Sequence, residues 1–91
     1  MDYKLLYHPD VLSEDLRGVP ENIKARIKRA VETRLLIDPV LFGEPLRQSL
    51  KGYRKLRVGD WRVIYRVSYS DIIILKIGNR KDVYQTVFQR L

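Results

Sequence analysis

Apolar residues recur at intervals of three and four along the segment that follows Pro20, while charged side chains fill the opposite face. The apolar positions are Ile23, Ile27, Ala30, Val31 and Leu35. This spacing predicts an amphipathic helix that begins at Pro20 and ends before Pro39. The preceding run VLSEDLRG predicts a short helix that ends at Gly18. The two helices should therefore form a hairpin.

Beyond Gly52 the apolar positions alternate with polar ones, and β-branched and aromatic residues become frequent. This pattern predicts strands at residues 53–58, 61–68 and 72–77, and a shorter apolar run predicts a first strand at residues 3–8. Residues 40–52 form a connector in which LRQSL could make one helical turn. The last segment, VYQTVFQRL, suits either a terminal helix or a frayed strand.

The order β-α-α-β-β-β predicts an α+β fold with two layers. The N-terminal helical hairpin would pack on one face of a mostly antiparallel four-stranded sheet, followed by a short C-terminal segment. Residues 1–91 are expected to form a single domain, because a chain of 91 residues has no room for a second core.

A two-residue turn at Gly59 and Asp60 would determine which side chains share a face of the sheet. In that register Leu56, Val58, Trp61, Val63 and Tyr65 face the helices, and the other face carries Lys55, Arg57, Arg62 and Arg66. Opposed cations such as Arg57 and Arg62 repel each other. Four cations without an acid suggest an anion site, although spacing alone leaves a basic solvated face equally open, and a shift of one residue would scatter the cluster.

The charge distribution points to polyanionic partners. The chain carries 18 Lys and Arg against 11 Asp and Glu, a net charge of +7, and the excess lies in the C-terminal half. Nucleic acid, the ribosome, an acidic protein or anionic lipid would all suit this charge. With no Cys and a single His, the usual zinc sites are excluded. No apolar run is long enough to cross a membrane, and we expect a cytoplasmic protein.

Two further candidates follow the last predicted strand of the sheet. Arg80 comes after the turn-prone pair Gly78 and Asn79, so it should lie at a strand end, where side chains can converge on a cleft. Tyr84 lies four residues later, and from spacing alone it is better explained as a core aromatic. His8 is better explained as a surface or helix-start residue than as a catalytic one.

The runs LRQSLKGYRKLRVGDWRVIYRV and ILKIGNRKDVY resemble the RelE branch of the RelE/ParE toxin family. Arg57, Gly59, Trp61, Arg62 and Tyr65 match the family's hairpin motif, and Arg80 and Tyr84 match its closing motif. The resemblance is close from Pro45 to Tyr84, and the β-α-α prelude fits in order and length. Many relatives carry His where this chain has Asn79, which leaves the general acid unassigned.

This resemblance implies a metal-independent and cofactor-independent endoribonuclease that cleaves mRNA in the ribosomal A site. The ribose 2′-hydroxyl would attack the adjacent phosphate. By analogy with the family, the catalytic residues would be Arg62, Arg80, Tyr84 and Lys55, with Lys55 as proton acceptor or charge stabiliser. Substrate binding would fall to Arg57, Arg54, Lys51 and Lys81. The implied partners are a cognate antitoxin, the ribosome with its mRNA, and operator DNA reached through the antitoxin complex, but no membrane.

Two other functions stay open on the sequence. A ParE-like inhibitor of DNA gyrase would share the fold, although that branch generally lacks the combination of Arg62, Arg80 and Tyr84. A non-catalytic nucleic-acid-binding module would use its cations for phosphate contacts alone, giving strong salt dependence without cleavage.

Overall fold

The computed structural model describes residues 2–91 and shows helices packed on a five-stranded sheet. The strands are β1 (Lys4–Tyr7), β2 (Glu44–Pro45), β3 (Arg54–Val58), β4 (Trp61–Ser68) and β5 (Asp71–Asn79). The α-helices are α1 (Pro9–Ser13), α2 (Glu21–Ala30), α3 (Pro39–Phe42) and α4 (Val83–Thr86). Single 3₁₀ turns occupy Asp15–Gly18, Gln48–Leu50 and Val87–Arg90, and a π-helical turn at Val31–Leu35 extends α2.

The sheet has the order β1-β5-β4-β3-β2, with β1 parallel to β5 and every other pair antiparallel. The predicted α+β class and the mostly antiparallel sheet are confirmed, but the count of four strands is wrong by one. The additional strand β2 has only two residues, which pair with Arg54 and Lys55 of β3. Two residues are too few to show an alternating pattern, so the sequence could not reveal this strand.

The predicted register of the β3–β4 hairpin is confirmed. Val58 pairs with Trp61, and Arg57 pairs with Arg62, around a turn in which Gly59 has φ +59°. The face turned toward the helices buries a large core, to which the hairpin contributes Leu56, Val58, Val63 and Tyr65. Ile27, Val31 and Leu35 of the helical layer pack against these side chains, as their spacing predicted.

The opposite face of the sheet is only partly open to solvent, which corrects the two-layer prediction. Ile64 and Leu75 form a second, smaller core with Leu50, Val83 and Val87. The C-terminal segment is therefore helical and lies on this face as a partial third layer. The run of β5, DIIILKIGN, is apolar without alternation because both of its faces are covered.

The connector before β3 is held to the sheet by polar contacts from two side chains, Tyr65 and Arg54. The Tyr65 hydroxyl donates to the Pro39 carbonyl, and burial raises the pKa of Tyr65, which keeps the hydroxyl as a donor. The Arg54 guanidinium donates to the carbonyls of Val40, at 2.7 Å, and Gly43, at 2.9 Å. Gly43 leaves space for the Tyr65 ring, since a Cβ there would overlap the hydroxyl. These contacts place β2 against β3.

A buried ion pair connects the two ends of the chain. The Arg90 guanidinium donates to both Asp15 carboxylate oxygens, at 2.6 and 2.7 Å, and to the Leu75 carbonyl at 3.1 Å. Asp15 also accepts a hydrogen bond at 2.8 Å from the Ile77 amide, in the part of β5 that β1 does not cover. The Lys76 ammonium group lies 3.6 Å from the Asp15 carboxylate. Hydrogen bonding to Asp15 raises the pKa of Arg90. This pair anchors the C-terminal helical segment to the sheet.

None of the helices within residues 2–91 has the length and apolar character required to span a bilayer.

Candidate active site

Lys55 and Arg57 alternate along β3 on the face opposite the N-terminal helices, and Arg62 lies directly across from Arg57 on β4. Gly78 of β5 is the next residue along this row, because it pairs with Arg62. The absence of a side chain at Gly78 lets Val83 of α4 approach closely, since a Cβ there would lie 3.3 Å from the Val83 side chain. The end of the hairpin and the start of α4 are therefore brought together.

Lys55 and Tyr84 are brought into contact by the fold, although they are far apart in sequence. The Lys55 Nζ lies 5.6 Å from the centroid of the Tyr84 ring, a cation–π distance. The Tyr84 ring is partly buried against the smaller core. Tyr84 is thus a core aromatic on one side, as its spacing predicted, and its ring also borders the candidate site.

Arg62 is the exception within this group, because it is not the free cation that the sequence suggested. Its side chain turns back on the hairpin, and Nη1 donates to the carbonyls of Gly59 and Trp61, each at 2.8 Å. Only 6% of the residue is exposed. Hydrogen bonds to the turn carbonyls also allow Arg62 to lie opposite Arg57, because the partial negative charge of the carbonyl oxygens offsets the repulsion between the two guanidinium groups.

Arg80 lies at the end of β5, beside the hairpin turn. Its amide donates to the Asp60 carbonyl at 2.8 Å, and its guanidinium Nε lies 3.7 Å from the Asp60 carboxylate while remaining largely exposed. Asn79 closes the following turn, since its Oδ1 accepts the Lys81 amide at 3.0 Å. Asn79 therefore stabilises the turn that follows β5. The Lys81 residue is exposed beside it.

Glu44 is a member of the site that sequence reasoning missed. Its carboxylate lies 3.8 Å from Lys55 Nζ and 3.7 Å from Arg57 Nη1. The expectation of a cationic face without an acid is therefore wrong. No local signal could have found Glu44, because it reaches the site only through the pairing of β2 with β3.

Two of the predicted substrate-binding residues lie elsewhere. Arg54 points to the helix side of the sheet, where its guanidinium is bound to connector carbonyls, so it is removed from the candidate site. The physical reason is strand alternation, because Arg54 pairs with the buried Tyr65 and shares its face. Lys51 is exposed beside a different cleft that the connector forms with Tyr53.

The acid at this site leads to a first prediction. Changing Glu44 to Gln should tighten the binding of a phosphate polyanion to this cationic face by about two- to five-fold, since an exposed ion pair is worth about 0.2–1 kcal/mol and its loss frees two cations for phosphate. Fluorescence anisotropy with a labelled 2′-O-methyl RNA as the polyanion would measure the change. Glu21→Gln is the matched control, because Glu21 forms an exposed pair with Lys24 on α2. Equal effects of the two variants would contradict a specific part for Glu44.

Comparison with known proteins places this geometry in a family. Residues 5–84 match the family described as the ParE toxin of the type II toxin–antitoxin system parDE. The toxin RelG of Mycobacterium tuberculosis is 32% identical over 73 residues, which cover 78% of this chain and 84% of that protein. The toxin RelE of the same organism is 35% identical over 75 residues, covering 80% of this chain and 77% of that one.

A solved structure agrees with these matches. The fold is similar to a chain of a RelBE toxin–antitoxin complex from M. tuberculosis, with a TM-score of 0.79 and 27% identity over 88% of this chain and all of that one. The family match covers most of the chain, and both curated relatives are Rel toxins. The chain therefore belongs to the RelE/ParE superfamily of type II toxin–antitoxin toxins, and within it to the RelE branch.

Proposed function

We propose that this toxin is a ribosome-dependent endoribonuclease that cuts mRNA in the A site. The observation that carries the proposal is the juxtaposition of Lys55 with Tyr84, on the face that also presents Arg57. An ammonium group and an aromatic ring are suited to a phosphate and its attached base. Arg80 lies at the turn end of the β3–β4 hairpin, through its contacts with Asp60.

The proposed reaction is an in-line displacement at phosphorus. The ribose 2′-hydroxyl gives up its proton to solvent as its oxygen forms a bond to the neighbouring phosphorus, the bond from phosphorus to the 5′-oxygen breaks, and the 5′-oxygen takes up a proton from solvent. The products are a 2′,3′-cyclic phosphate, which can open to a 3′-phosphate, and a 5′-hydroxyl end. Negative charge builds on the phosphate oxygens and the leaving oxygen, where cationic donors are most effective.

The structure supports a division of labour among the cations. Lys55, Arg57 and Arg80 have side chains that can reach solvent, and we assign them to phosphate binding and charge stabilisation. Arg62 we assign to holding the hairpin turn on which they depend, because it is bound to the carbonyls of Gly59 and Trp61. Tyr84 would stack on or position a nucleotide beside Lys55.

Lys55 is better assigned to charge stabilisation than to proton transfer. The argument for a base depended on a lysine surrounded only by cations, and Glu44 at 3.8 Å removes that premise. The single histidine, His8, lies at the start of α1, where its Nδ1 accepts the Asp10 amide at 3.1 Å. Positioning of the 2′-hydroxyl by the ribosome would then supply much of the acceleration.

A cognate antitoxin is the proposed partner outside translation. The related RelBE structure is a toxin–antitoxin complex, and the net charge of +7 favours capture by an acidic or amphipathic segment. Contact with operator DNA would be made indirectly, through the antitoxin of that complex.

The proposal is tested by in vitro translation followed by primer-extension mapping of mRNA ends. The wild-type toxin should produce new 5′ ends within codons at the A site, and Arg80→Ala should reduce cutting by about 100-fold, because one preorganised donor to the transition state is lost. Arg17→Ala is the control, since Arg17 is exposed on the N-terminal 3₁₀ turn and has the same charge.

The alternatives predict different outcomes in the same experiments. A gyrase inhibitor would leave the mRNA intact and produce gyrase-linked DNA breaks. A non-catalytic module would give no new ends, and Arg80→Ala would weaken RNA binding no more than Arg17→Ala does. Either result would contradict the nuclease proposal.

A further inference from the structure

A second basic cleft lies on the other side of the β3–β4 hairpin, where α2 and its π-helical extension meet the end of β3. It encloses about 320 Å³ and is lined by four arginines: Arg26, Arg29, Arg34 and Arg57. Its floor includes Val58 and Gly59, so it begins at the same hairpin turn as the candidate active site. No acidic side chain of the described residues lines it.

The helix geometry explains why three of these arginines converge. Arg26 and Arg29 are separated by three residues and lie on one helix face. Arg34 follows Arg29 by five residues, and the π-helical turn at Val31–Leu35, in which the Leu36 amide donates to the Val31 carbonyl, contains the extra residue that keeps Arg34 on this side. Single π-helical turns occur frequently at functional sites.

Three of the four arginines of this cleft are not neutralised by any acidic side chain of the described residues, while Arg57 is paired with Glu44. Within residues 2–91, the guanidinium groups of Arg26, Arg29 and Arg34 make no salt bridge and no hydrogen bond to another side chain, and all three residues are exposed. The Arg26 guanidinium lies beside the turn, 3.3 Å from the position of a Cβ at Gly59. Arg26 and Arg29 repel each other across one helical turn, which costs about 0.2–0.5 kcal/mol, and a bound anion would remove that cost.

The chemistry of the cleft selects among anions. Guanidinium groups offer paired donors that match phosphate oxygens. The cleft has no aromatic lining residue in the described chain for base stacking, and its apolar members, Ala30 and Val58, are themselves buried. An amphipathic peptide would find no apolar surface to pack against here. Consecutive phosphates of a nucleic acid would instead find guanidinium donors.

Arg57 connects this cleft to the candidate active site. The Arg57 side chain lines the cleft, and 62% of it is exposed. Its guanidinium also lies 3.7 Å from the Glu44 carboxylate, at the edge of the candidate active site. Positive charge thus continues around the turn end of the hairpin from one face to the other.

We propose that the cleft of Arg26, Arg29 and Arg34 binds backbone phosphates of RNA outside the scissile linkage, without reading sequence. This inference rests on the proposed function for its biological meaning, but its test does not. The cleft would hold an RNA backbone on the helix side of the hairpin while the scissile phosphate lies on the sheet side.

The test measures the affinity of the full-length toxin for a labelled 2′-O-methyl RNA as a function of salt. Removal of three phosphate contacts by the triple variant Arg26→Ala, Arg29→Ala and Arg34→Ala should lower the slope of log K against log salt by about 2, at about 0.7 per contact for a single strand. Alanine favours the helix, so thermal melting should show an intact fold.

The control removes the same charge from other surfaces. Lys4→Ala, Arg17→Ala and Lys28→Ala lie on β1, on the first 3₁₀ turn and on α2 away from the cleft. The inference is overturned if the two triple variants lose equal slope, or if the cleft variant loses none. A further outcome would also overturn the inference: the change from wild type to cleft variant weakens the binding of polyglutamate as much as the binding of RNA. The cleft would then bind acidic peptides and RNA equally well.

The two proposals fail separately. If the wild-type toxin leaves mRNA uncut in translation but the cleft variant binds RNA more weakly than the wild type, the nuclease proposal is refuted and the cleft proposal is retained. Cutting that Arg80→Ala abolishes, with no change of RNA affinity in the cleft variant, would refute the cleft and retain the nuclease.

Discussion

Replacing Lys55 with alanine is expected to slow ribosome-dependent mRNA cleavage by about 10²- to 10³-fold, the usual loss when one preorganised charge donor is removed from a transition state. Lys55 lies on the central part of the candidate site, with its Nζ over the Tyr84 ring and 3.8 Å from Glu44. If Lys55 acts through its positive charge, Lys55→Arg should retain much of the activity that Lys55→Ala loses. Single-turnover cleavage on programmed ribosomes would measure both.

The arginine variant distinguishes the two roles that the family resemblance left open. Arginine stays protonated in proteins, so it can replace a charge but cannot accept a proton. An inactive Lys55→Arg, together with loss in Lys55→Ala of the rise in rate with increasing pH that a general base produces, would show that Lys55 is a general base and would contradict our assignment. Lys28→Ala, which removes an exposed lysine of α2, controls for net charge.

Changing Asp15 to Ala should destabilise the fold by about 3 kcal/mol, because the buried Arg90 guanidinium loses its two short hydrogen bonds to a carboxylate and keeps only the more exposed Asp10, at 3.8 Å, and Glu14, at 3.4 Å, as counter-charges. The Asp15 and Arg90 side chains are only 4% and 5% exposed, and two hydrogen bonds join them. Asp15 also satisfies the Ile77 amide at the edge of β5. In a domain of this size, the loss should lower the Tm by about 15 °C or more. Circular dichroism would measure the free energy of unfolding in a urea titration and the Tm in a thermal melt.

Two comparisons separate this buried pair from an ordinary ion pair. Lys24→Ala removes an exposed partner of Glu21 and should cost less than about 1 kcal/mol. The double variant Asp15→Leu with Arg90→Met should recover part of the stability, since replacing both members of a buried pair with apolar residues is often neutral. A loss in Asp15→Ala no larger than that in Lys24→Ala would contradict the structural part that we give to this pair.

Much of the fold was predictable from local pattern. The stripe of Ile23, Ile27 and Leu35 predicted a helix with one buried face, and the β-branched and aromatic residues of 61–68 predicted a strand. Gly59 predicted the two-residue turn, since it adopts a positive φ at little steric cost. From that turn, alternation alone put Lys55, Arg57 and Arg62 on one face.

The candidate site was predictable only where it follows from that hairpin. Whether a side chain on the correct face is free or bound depends on the backbone oxygens within its reach, and Arg62 is bound to those of its own turn. Arg54 was misassigned because charge suggested substrate binding while alternation placed it opposite, on the face of Tyr65. Charge composition is a property of the chain, but the direction of each charge is a property of the fold.

The amino-acid sequence by itself determined the helical hairpin, the register of β3 with β4, the excess of positive charge in the second half and the motif residues that resemble the RelE branch. These features depend on neighbours within a few positions, or on residue type alone. Tertiary structure alone decided that Glu44 enters the cationic face, that Tyr84 meets Lys55, that Asp15 holds Arg90, and that Arg26, Arg29 and Arg34 share a cleft with Arg57. Apart from the proximity of Arg26, Arg29 and Arg34 to one another, each of these contacts joins different segments of the chain. Such contacts are set by the packing of whole elements rather than by any local pattern.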